Sequence, residues 1–459
     1  MQTLGLDEIV KATKGSLISG NINTVISGIS TDSRKINKGD LFVPVSGEKF
    51  DGHDFVKSSL DSGAAASLIS KPVDSLKDKA IIRVDDTLKA LGDIARFYRD
   101  KFRIPFVGIT GSVGKTSTKD MISGVLARKY SVLKTSGNFN NHIGLPLTIF
   151  NLESFHEAAV LEMGMSGFGE IGYLTSIVKP DIAVITNIGL SHIEKLGSRQ
   201  NILKAKMEIL EGLKSEGLVI LNGDDKLLYG LKDLLKFRTV YYGMEDGLQY
   251  QACGVKTMGE NGTYFEITVK NKDYKVNIPV PGIHNIYNAL AAIAVGVEMN
   301  VPLEDIIKGI AGFTPEKMRL NIVSGNGIKI INDVYNASPQ SMKAAIDVLK
   351  EVGGNRRTIA VLGDMLEMGE WSYRQHIDVG RYAVSEGINY IITVGKEGEN
   401  IAKGALESGA REESIFAFGN NDEAGLFLED FIKDGDVVLV KGSRGMKMED
   451  IVDKLTYRR

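Results

Sequence analysis

The chain has 459 residues, of which 43% are apolar and 25% charged, with a formal net charge of -3. These proportions are those of soluble globular proteins, and with no block of Lys or Arg there is no footprint for neutralising the many phosphates of a nucleic acid. At about 150 residues per domain the length suggests about three domains.

The single cysteine, Cys253, excludes an intrachain disulfide and reads as a small buried hydrophobe in a reducing compartment. The N-terminal stretch MQTLGLDEIVKATKGSLISG places acids before bases and has no long apolar core, which is unlike a secretory signal. No apolar run approaches the roughly 20 residues that span a bilayer, so no membrane insertion is expected and the cytoplasm is the expected location.

In chain order, the first 83 residues carry short strands such as GISTDS and LFVPVS among helical pieces. A helical stretch from Asp85 to Phe102 could join either neighbour. From residue 103 the pattern becomes α/β: the apolar strand FVGIT runs into a Gly-rich turn and then a helical stretch to about residue 130. AAVLEM, DIAVITN and GLVILN repeat the theme, and strands alternating with helices mean βαβ units and a mostly parallel, doubly wound sheet. Residues 250 to 281 alternate polar and apolar positions (TYFEITV, YKVNIPV) around ENG, the pattern of an antiparallel hairpin at the sheet's edge. A helix from about His284 to Met299 is apolar on most faces and is expected to be buried. After Pro315 the strands IKIIND, TIAVLGDM, YIITVG, SIFAFG and DVVLVKG, each followed by a helical pattern, form a second doubly wound unit without a phosphate loop. The expected fold is therefore three-domain α/β: a small mixed N-terminal domain over 1 to 83, a central domain over 84 to 315 and a C-terminal Rossmann-like domain over 316 to 459.

The strongest chemical signal is GITGSVGKTST at 108 to 118, between a buried strand and a helix. Gly111 and Gly114 let backbone N-H groups face phosphate oxygens, Lys115 reaches the terminal phosphates, and the Thr116 hydroxyl suits Mg²⁺. The general P-loop spacing puts a glycine where Ile109 stands, so the match is imperfect. A chance Gly-rich turn is the alternative.

A second glycine cluster at Gly167, Gly169 and Gly172 spells GxGxxG after AAVLEM. The next strand ends in Asn187, where a dinucleotide site needs an acid for the ribose, so the turn is read as shaping the approach to Glu162. Glu162 ends a buried strand and His192 follows the next one, at the carboxyl edge where α/β sheets bind ligands. With Thr116 they form a candidate Mg²⁺ site. A structural hydrogen-bonder and a satisfied loop histidine are the plainer readings. Lys206, in ILKAKMEILEGL, reads by pattern as a solvated lysine.

Taken together, TGSVGKT, TSGNFNNHIGLP (135 to 146), LEMGMSGFGEIGYL (161 to 174), TNIGLSHIEKLGS (186 to 198), AKMEI (205 to 209) and GIHNIYNALAA (282 to 292) resemble the central ATPase domain of the Mur ligases. The family's own phosphate loop carries the same departure at Ile109. NDVYNASPQSM (332 to 342), LGDMLEMGE (362 to 370) and VKGSRGMKME (440 to 449) resemble the member that adds D-alanyl-D-alanine, and STDSRKINKGDLFVPVSGEKFDGHDF (30 to 55) resembles a UDP-sugar-binding segment.

The resemblance implies an ATP-dependent ligase of peptidoglycan synthesis that joins D-alanyl-D-alanine to a UDP-N-acetylmuramoyl-tripeptide through an acyl phosphate, working as a monomer. It implies nucleotide contacts from Thr110, Gly111, Ser112, Gly114, Lys115, Thr116, Ser117, Asn285 and Asn288, and interdomain contacts from Arg319 and Asp333. It implies two Mg²⁺ ions, the first on Thr116 and Glu162 and the second on His192, together with Lys206 where relatives carbamylate the matching lysine. Lys115, Glu162, His192 and Lys206 are the expected catalytic set. The family's usual Asp-Asp pair is Asn332-Asp333 here. For substrates, Ser33, Arg34, Gly47, Asp51 and His53 are expected at the uridine, Asn138, Asn141 and His142 at the tripeptide, and Tyr335, Asn336 and Ser338 at the dipeptide. The rivals are a folylpolyglutamate synthetase or another Mur ligase, which would differ in the uridine segment and YNASPQSM, and a regulatory P-loop NTPase, which would lack two substrate-matched domains.

Overall fold

The computed structural model describes residues 1–47, 50–73 and 79–456. Glu48 and Lys49, inside the expected uridine segment, lie outside the described residues. The chain divides into two compact units, the first comprising Met1–Ile109, Tyr130–Ala183 and Met207–Gly217, the second Thr110–Lys129, Val184–Lys206 and Leu218–Arg459.

In the first unit, a five-stranded sheet has the order Ser16–Ser19, Ala80–Arg83, Ala66–Ile69, Asp40–Phe42, Gly28–Ser30. Its last four strands are parallel, and Phe42, Val56, Leu60, Ile69 and Ile81 pack into one apolar cluster. The helix Thr87–Arg99 begins where the Asp86 carboxylate accepts the N-H groups of Leu88 and Lys89, which satisfies two of the orphan donors of its first turn. The same helix is tied to residues further along the chain, since Tyr98 donates to the Leu152 carbonyl at 2.7 Å and Arg99 to that of Val178 at 2.6 Å. Phe106–Thr110, Ala158–Glu162 and Val132–Lys134 pair in parallel, and the register sets Glu162 opposite Ile109. All five residues of both Phe106–Thr110 and Ala158–Glu162 are buried, as expected of strands covered on both faces.

In the second unit, Leu218–Asn222, Arg238–Gly243 and Tyr250–Thr257 are parallel, and Thr263–Val269 and Lys272–Ile278 continue antiparallel. The expected hairpin is thus a three-stranded meander. Its second turn is Lys270-Asn271, both with positive φ (50° and 61°), a conformation that Asn accepts but Lys rarely does, so it carries no Asn-Gly signal. Cys253, expected to be buried, is exposed on Tyr250–Thr257. The helix His284–Glu298 is buried through most of its length, as its composition required.

The six-stranded sheet has the order Asn321–Gly325, Ile328–Asn332, Val437–Lys441, Thr358–Gly363, Tyr390–Val394, Ile415–Phe418. Five strands are the expected ones and are parallel. The sixth, Asn321–Gly325, is an antiparallel edge strand that is only partly buried and so lacked an apolar run. Among the described residues no helix is long and apolar enough to cross a membrane.

Candidate active site

The phosphate loop is built in the second unit by a second segment that braces it. Gly111 has φ 151°, and a Cβ there would lie 1.8 Å from the Thr186 hydroxyl, while Gly114 has φ 83° and opens the helix Lys115–Leu126. Both positions therefore require glycine. Asn187, the residue that argued against a dinucleotide site, braces the loop instead, since its side chain accepts from Val113 N-H at 3.0 Å and donates to the Val113 carbonyl at 2.9 Å. Ser112 Oγ accepts the Gly189 N-H at 2.8 Å, and Lys115 Nζ donates to the Gly111 carbonyl at 2.8 Å. Thr110 and Thr116 are buried and Ser117 half-buried; the Thr110 hydroxyl has no partner among the described residues.

Asn285 and Asn288 are buried beside this helix. Asn288 Oδ1 accepts from Thr118 Oγ1 at 3.0 Å, its amide donates to Asn285 Oδ1 at 3.1 Å, and the Asn285 amide donates to the Pro281 carbonyl at 2.8 Å. This relay fastens the helix His284–Glu298 to the phosphate-loop helix.

His192 lies on the strand-to-helix loop with left-handed backbone, and its Nδ1 is 2.6 Å from Glu367 Oε2. Burial lowers the pKa of His192, Glu367 opposes that fall, and the cations Lys115 and Lys206 reinforce it. Lys206, read by pattern as solvated, is only 1% exposed. Burial, then the charge of Lys115, holds its amine well below the usual lysine range.

A cavity of about 240 Å³ joins His192 to Tyr335, Asn336 and Ser338, three of the expected dipeptide residues. Ser338 caps the helix Pro339–Gly353, and Asn336 Oδ1 accepts the Ala337 N-H. Arg319 stacks on the Tyr335 ring at 3.8 Å, and its Nε has no partner among the described residues. Asp333 accepts from Lys441 Nζ at 2.6 Å, and Lys441, 2% exposed, also donates to the Asn336 carbonyl at 2.8 Å.

In the first unit, Glu162 is 2% exposed and its Oε1 accepts the Asn140 amide at 2.7 Å. Asn140 was not singled out by sequence, although it lies inside TSGNFNNHIGLP. Its neighbour Asn141 uses Oδ1 on the N-H groups of Ile143 and Gly144 at the start of a short helix, and Asn138 and His142 are exposed. The GxGxxG turn is closed by the protein's own carboxylate: Gly169 and Gly172 donate their N-H groups to Glu208 at 2.8 and 3.0 Å. The position a dinucleotide phosphate would take is filled.

In the uridine segment, Ser33 opens a 3₁₀ turn and Arg34, 85% exposed, pairs through two nitrogens with Asp32. Gly47 N-H donates to the Phe50 carbonyl at 2.9 Å. His53 Nδ1 meets Asp51 at 2.7 Å and its Nε2 accepts the Ser70 N-H at 3.0 Å, so both ring nitrogens brace the fold. The hydrogen bond from Lys71, with those from His53 and Ser46, holds the Asp51 carboxyl far below the usual carboxylate range.

Among the described residues no group of three His, Cys, Asp or Glu could cage a metal. A nucleotide-bound Mg²⁺ does not need one, because it takes one or two protein oxygens and completes its octahedron with phosphates and water. The Thr116 hydroxyl and the buried Glu162 carboxylate are oxygen donors of that kind.

Family models match three stretches: the Mur ligase middle domain over 109–296, the Mur ligase glutamate ligase domain over 318–444, and the Mur ligase catalytic domain over 25–99. The chain is 44% identical over 450 residues to a UDP-N-acetylmuramoyl-tripeptide--D-alanyl-D-alanine ligase of Bacillus subtilis, covering 97% of each chain. It is also similar to a crystal structure of MurF from Acinetobacter baumannii, with TM-score 0.92, 33% identity and 99% of each chain covered. MurF ligase from Thermotoga maritima in complex with ADP has TM-score 0.83 and 30% identity, with 94% of this chain and 97% of that one covered. The fold is the three-domain α/β arrangement of those structures, with a central, mostly parallel sheet. The chain belongs to the Mur ligase family.

Proposed function

We propose that this protein is an ATP-dependent peptide ligase that adds D-alanyl-D-alanine to UDP-N-acetylmuramoyl-tripeptide, giving the pentapeptide precursor of peptidoglycan, ADP and phosphate. The observation that carries the reading is the cavity shared by His192 of the phosphate-handling segment and Tyr335, Asn336 and Ser338 of the C-terminal domain. It supports phosphoryl transfer and amine delivery at one place.

The domains divide the work: 1 to 83 holds the UDP-sugar, 84 to 315 the ATP, and 316 to 459 the incoming amine. The tripeptide carboxylate attacks the γ-phosphorus, the bond to the β-γ bridging oxygen breaks, and ADP leaves. Lys115 and the N-H groups of the loop at Gly111 to Thr116 stabilise charge on the oxygens in flight. The amine then attacks the acyl phosphate carbonyl, the tetrahedral intermediate expels phosphate, and the amine's protons pass to solvent. Asn138, Asn141 and His142 orient the tripeptide, Tyr335, Asn336 and Ser338 the dipeptide, and Ser33, Arg34, Gly47 and Asp51 face the uridine, with His53 as a brace behind them. Holding both substrates in register contributes on the order of 7–11 kcal/mol, more than one acid or base supplies.

Mg²⁺ would find oxygen ligands in Thr116 and Glu162, and a second ion would be held by His192 and a carbamate on Lys206; the metal would supply neutralisation of phosphate charge. The depressed pKa of Lys206 favours the neutral amine that reacts with carbon dioxide. Arg319 and Asp333 contact nucleotide from the C-terminal domain, while Asn285 and Asn288 set the wall of the adenine side. The enzyme works as a monomer in the cytoplasm, and exposed, unpaired Cys253 suits a reducing compartment.

The test is phosphate release with each UDP-muramoyl peptide, with and without D-alanyl-D-alanine. Release that needs UDP-tripeptide and D-alanyl-D-alanine together supports the reading. Release with UDP-dipeptide and a diamino acid, or turnover that needs neither substrate, overturns it.

A further inference from the structure

We propose that Arg444 recognises the free carboxylate of the incoming dipeptide and that Glu449 holds it in place to do so. The inference rests on the ligase reading above and names a specificity residue that the reading lacks. It starts from the charge of the cavity. Among its lining residues Arg444 and Glu367 are the base and acid side chains of opposite sign. D-Alanyl-D-alanine is a zwitterion with one ammonium and one carboxylate. A cavity of about 240 Å³ is of the right order for so small a dipeptide.

Arg444 follows the strand Val437–Lys441 and opens the turn Arg444–Met446, at the carboxyl edge where α/β sheets bind ligands. Its Nη1 forms an ion pair with Glu449 Oε1 at 2.9 Å and donates to Met318 Sδ at 3.5 Å. The side chain remains 55% exposed, and among the described residues Nε and Nη2 make no hydrogen bond. A guanidinium pinned through one nitrogen keeps the donors on its other edge for a planar, bidentate carboxylate, which the point charge of a lysine cannot match. The wall beside it is fixed: Ser443 Oγ accepts the Leu366 N-H at 2.9 Å, and Ser443 N-H donates to the Asp364 carbonyl at 3.0 Å. Such support lowers the ordering cost of binding.

The test compares D-alanyl-D-alanine with D-alanyl-D-alaninamide, which keeps the nucleophile and removes the carboxylate, using the full chain with ATP, Mg²⁺ and UDP-tripeptide. The unsubstituted enzyme is expected to favour the dipeptide by about 10- to 100-fold in kcat/KM, the range of a charge-assisted bidentate contact. R444Q should bring that ratio close to one by raising KM for the dipeptide, with KM for ATP unchanged. R444K should keep part of the preference, and E449Q should raise the dipeptide KM several-fold. If R444Q does not fold, the ratio in R444K and E449Q decides. A ratio that survives in the variants, or a rise in KM for ATP in place of the dipeptide, overturns the assignment. An unsubstituted enzyme that uses neither amine overturns the ligase reading, and Arg444 with it.

Discussion

His192 and Glu367 meet at 2.6 Å through Nδ1 and Oε2, and both hold left-handed backbone, with φ 62° and 61°. Non-glycine residues adopt that region at a cost of order 1 kcal/mol each, so two of them facing one another mark a contact that the surrounding fold enforces. A carboxylate at Nδ1 favours the tautomer that carries its proton there and leaves Nε2 as the acceptor, the arrangement that orients metal-binding histidines.

Glu367→Gln keeps the shape and removes the charge. Since Glu367 raises the His192 pKa against burial, the variant should titrate His192 at lower pH, read by NMR on the nucleotide-free protein. Turnover should fall about 10-fold, the usual effect of losing such a partner. An unmoved His192 titration would remove the positioning role.

Lys206 is buried, and its pKa is depressed first by desolvation and then by Lys115. With carbon-13 bicarbonate the protein should show a carbamate resonance that fades as pH falls and protonates the amine. Lys206→Arg should lose that resonance and about 100-fold in turnover. Full activity in a carefully degassed, bicarbonate-free buffer would argue against the carbamate.

Asn140 and Asn141 are adjacent but do different things. Asn140→Ala frees the Glu162 carboxylate from its 2.7 Å amide contact and should slow phosphate release about 10-fold while the fold is kept. Asn141→Ala removes the acceptor at the start of the helix Gly144–Ile149 and should cost about 1 kcal/mol in stability. If the Asn141 amide also orients the tripeptide, amide formation slows with ATP affinity intact. Equal effects of both variants on turnover and stability would erase the distinction.

Glu351 lies on the helix Pro339–Gly353, and burial pushes its carboxyl up to about 7 even though Gly282 and Gly259 donate N-H groups to it. A folded-state pKa above the unfolded value means the stabilisation is complete below about pH 4.5 and is lost as pH rises through about 7. Glu351→Gln should therefore stabilise the protein by about 1–2 kcal/mol at pH 8 and leave it nearly unchanged at pH 4. Urea unfolding at the two pH values checks this, and a gain confined to low pH would reverse the sign.

The phosphate loop was legible because its requirements are local: glycines at 111 and 114, an apolar strand before them and a helix after. The same holds for the five parallel strands of the C-terminal sheet. Partners distant in sequence were not legible. Nothing near His192 points to Glu367, 175 positions away, and nothing in ILKAKMEI shows that tertiary packing closes over Lys206. Asn285 and Asn288 were singled out by resemblance, yet their amides bond to protein groups in a relay that only coordinates reveal. Cys253 was misplaced because it was read by residue type alone; it stands on an interior strand of the sheet, next to an irregularity in the pairing with Thr263–Val269, and its side is exposed.

The central claim is that ATP activates a carboxylate as an acyl phosphate before the amine attacks. UDP-tripeptide carrying oxygen-18 in its terminal carboxylate, turned over with D-alanyl-D-alanine, tests it most directly. The account expects one labelled oxygen in each phosphate released, because the carboxylate oxygen that attacks phosphorus leaves with it. Phosphate free of label would mean that water, and not the substrate, attacked ATP, and would contradict the account.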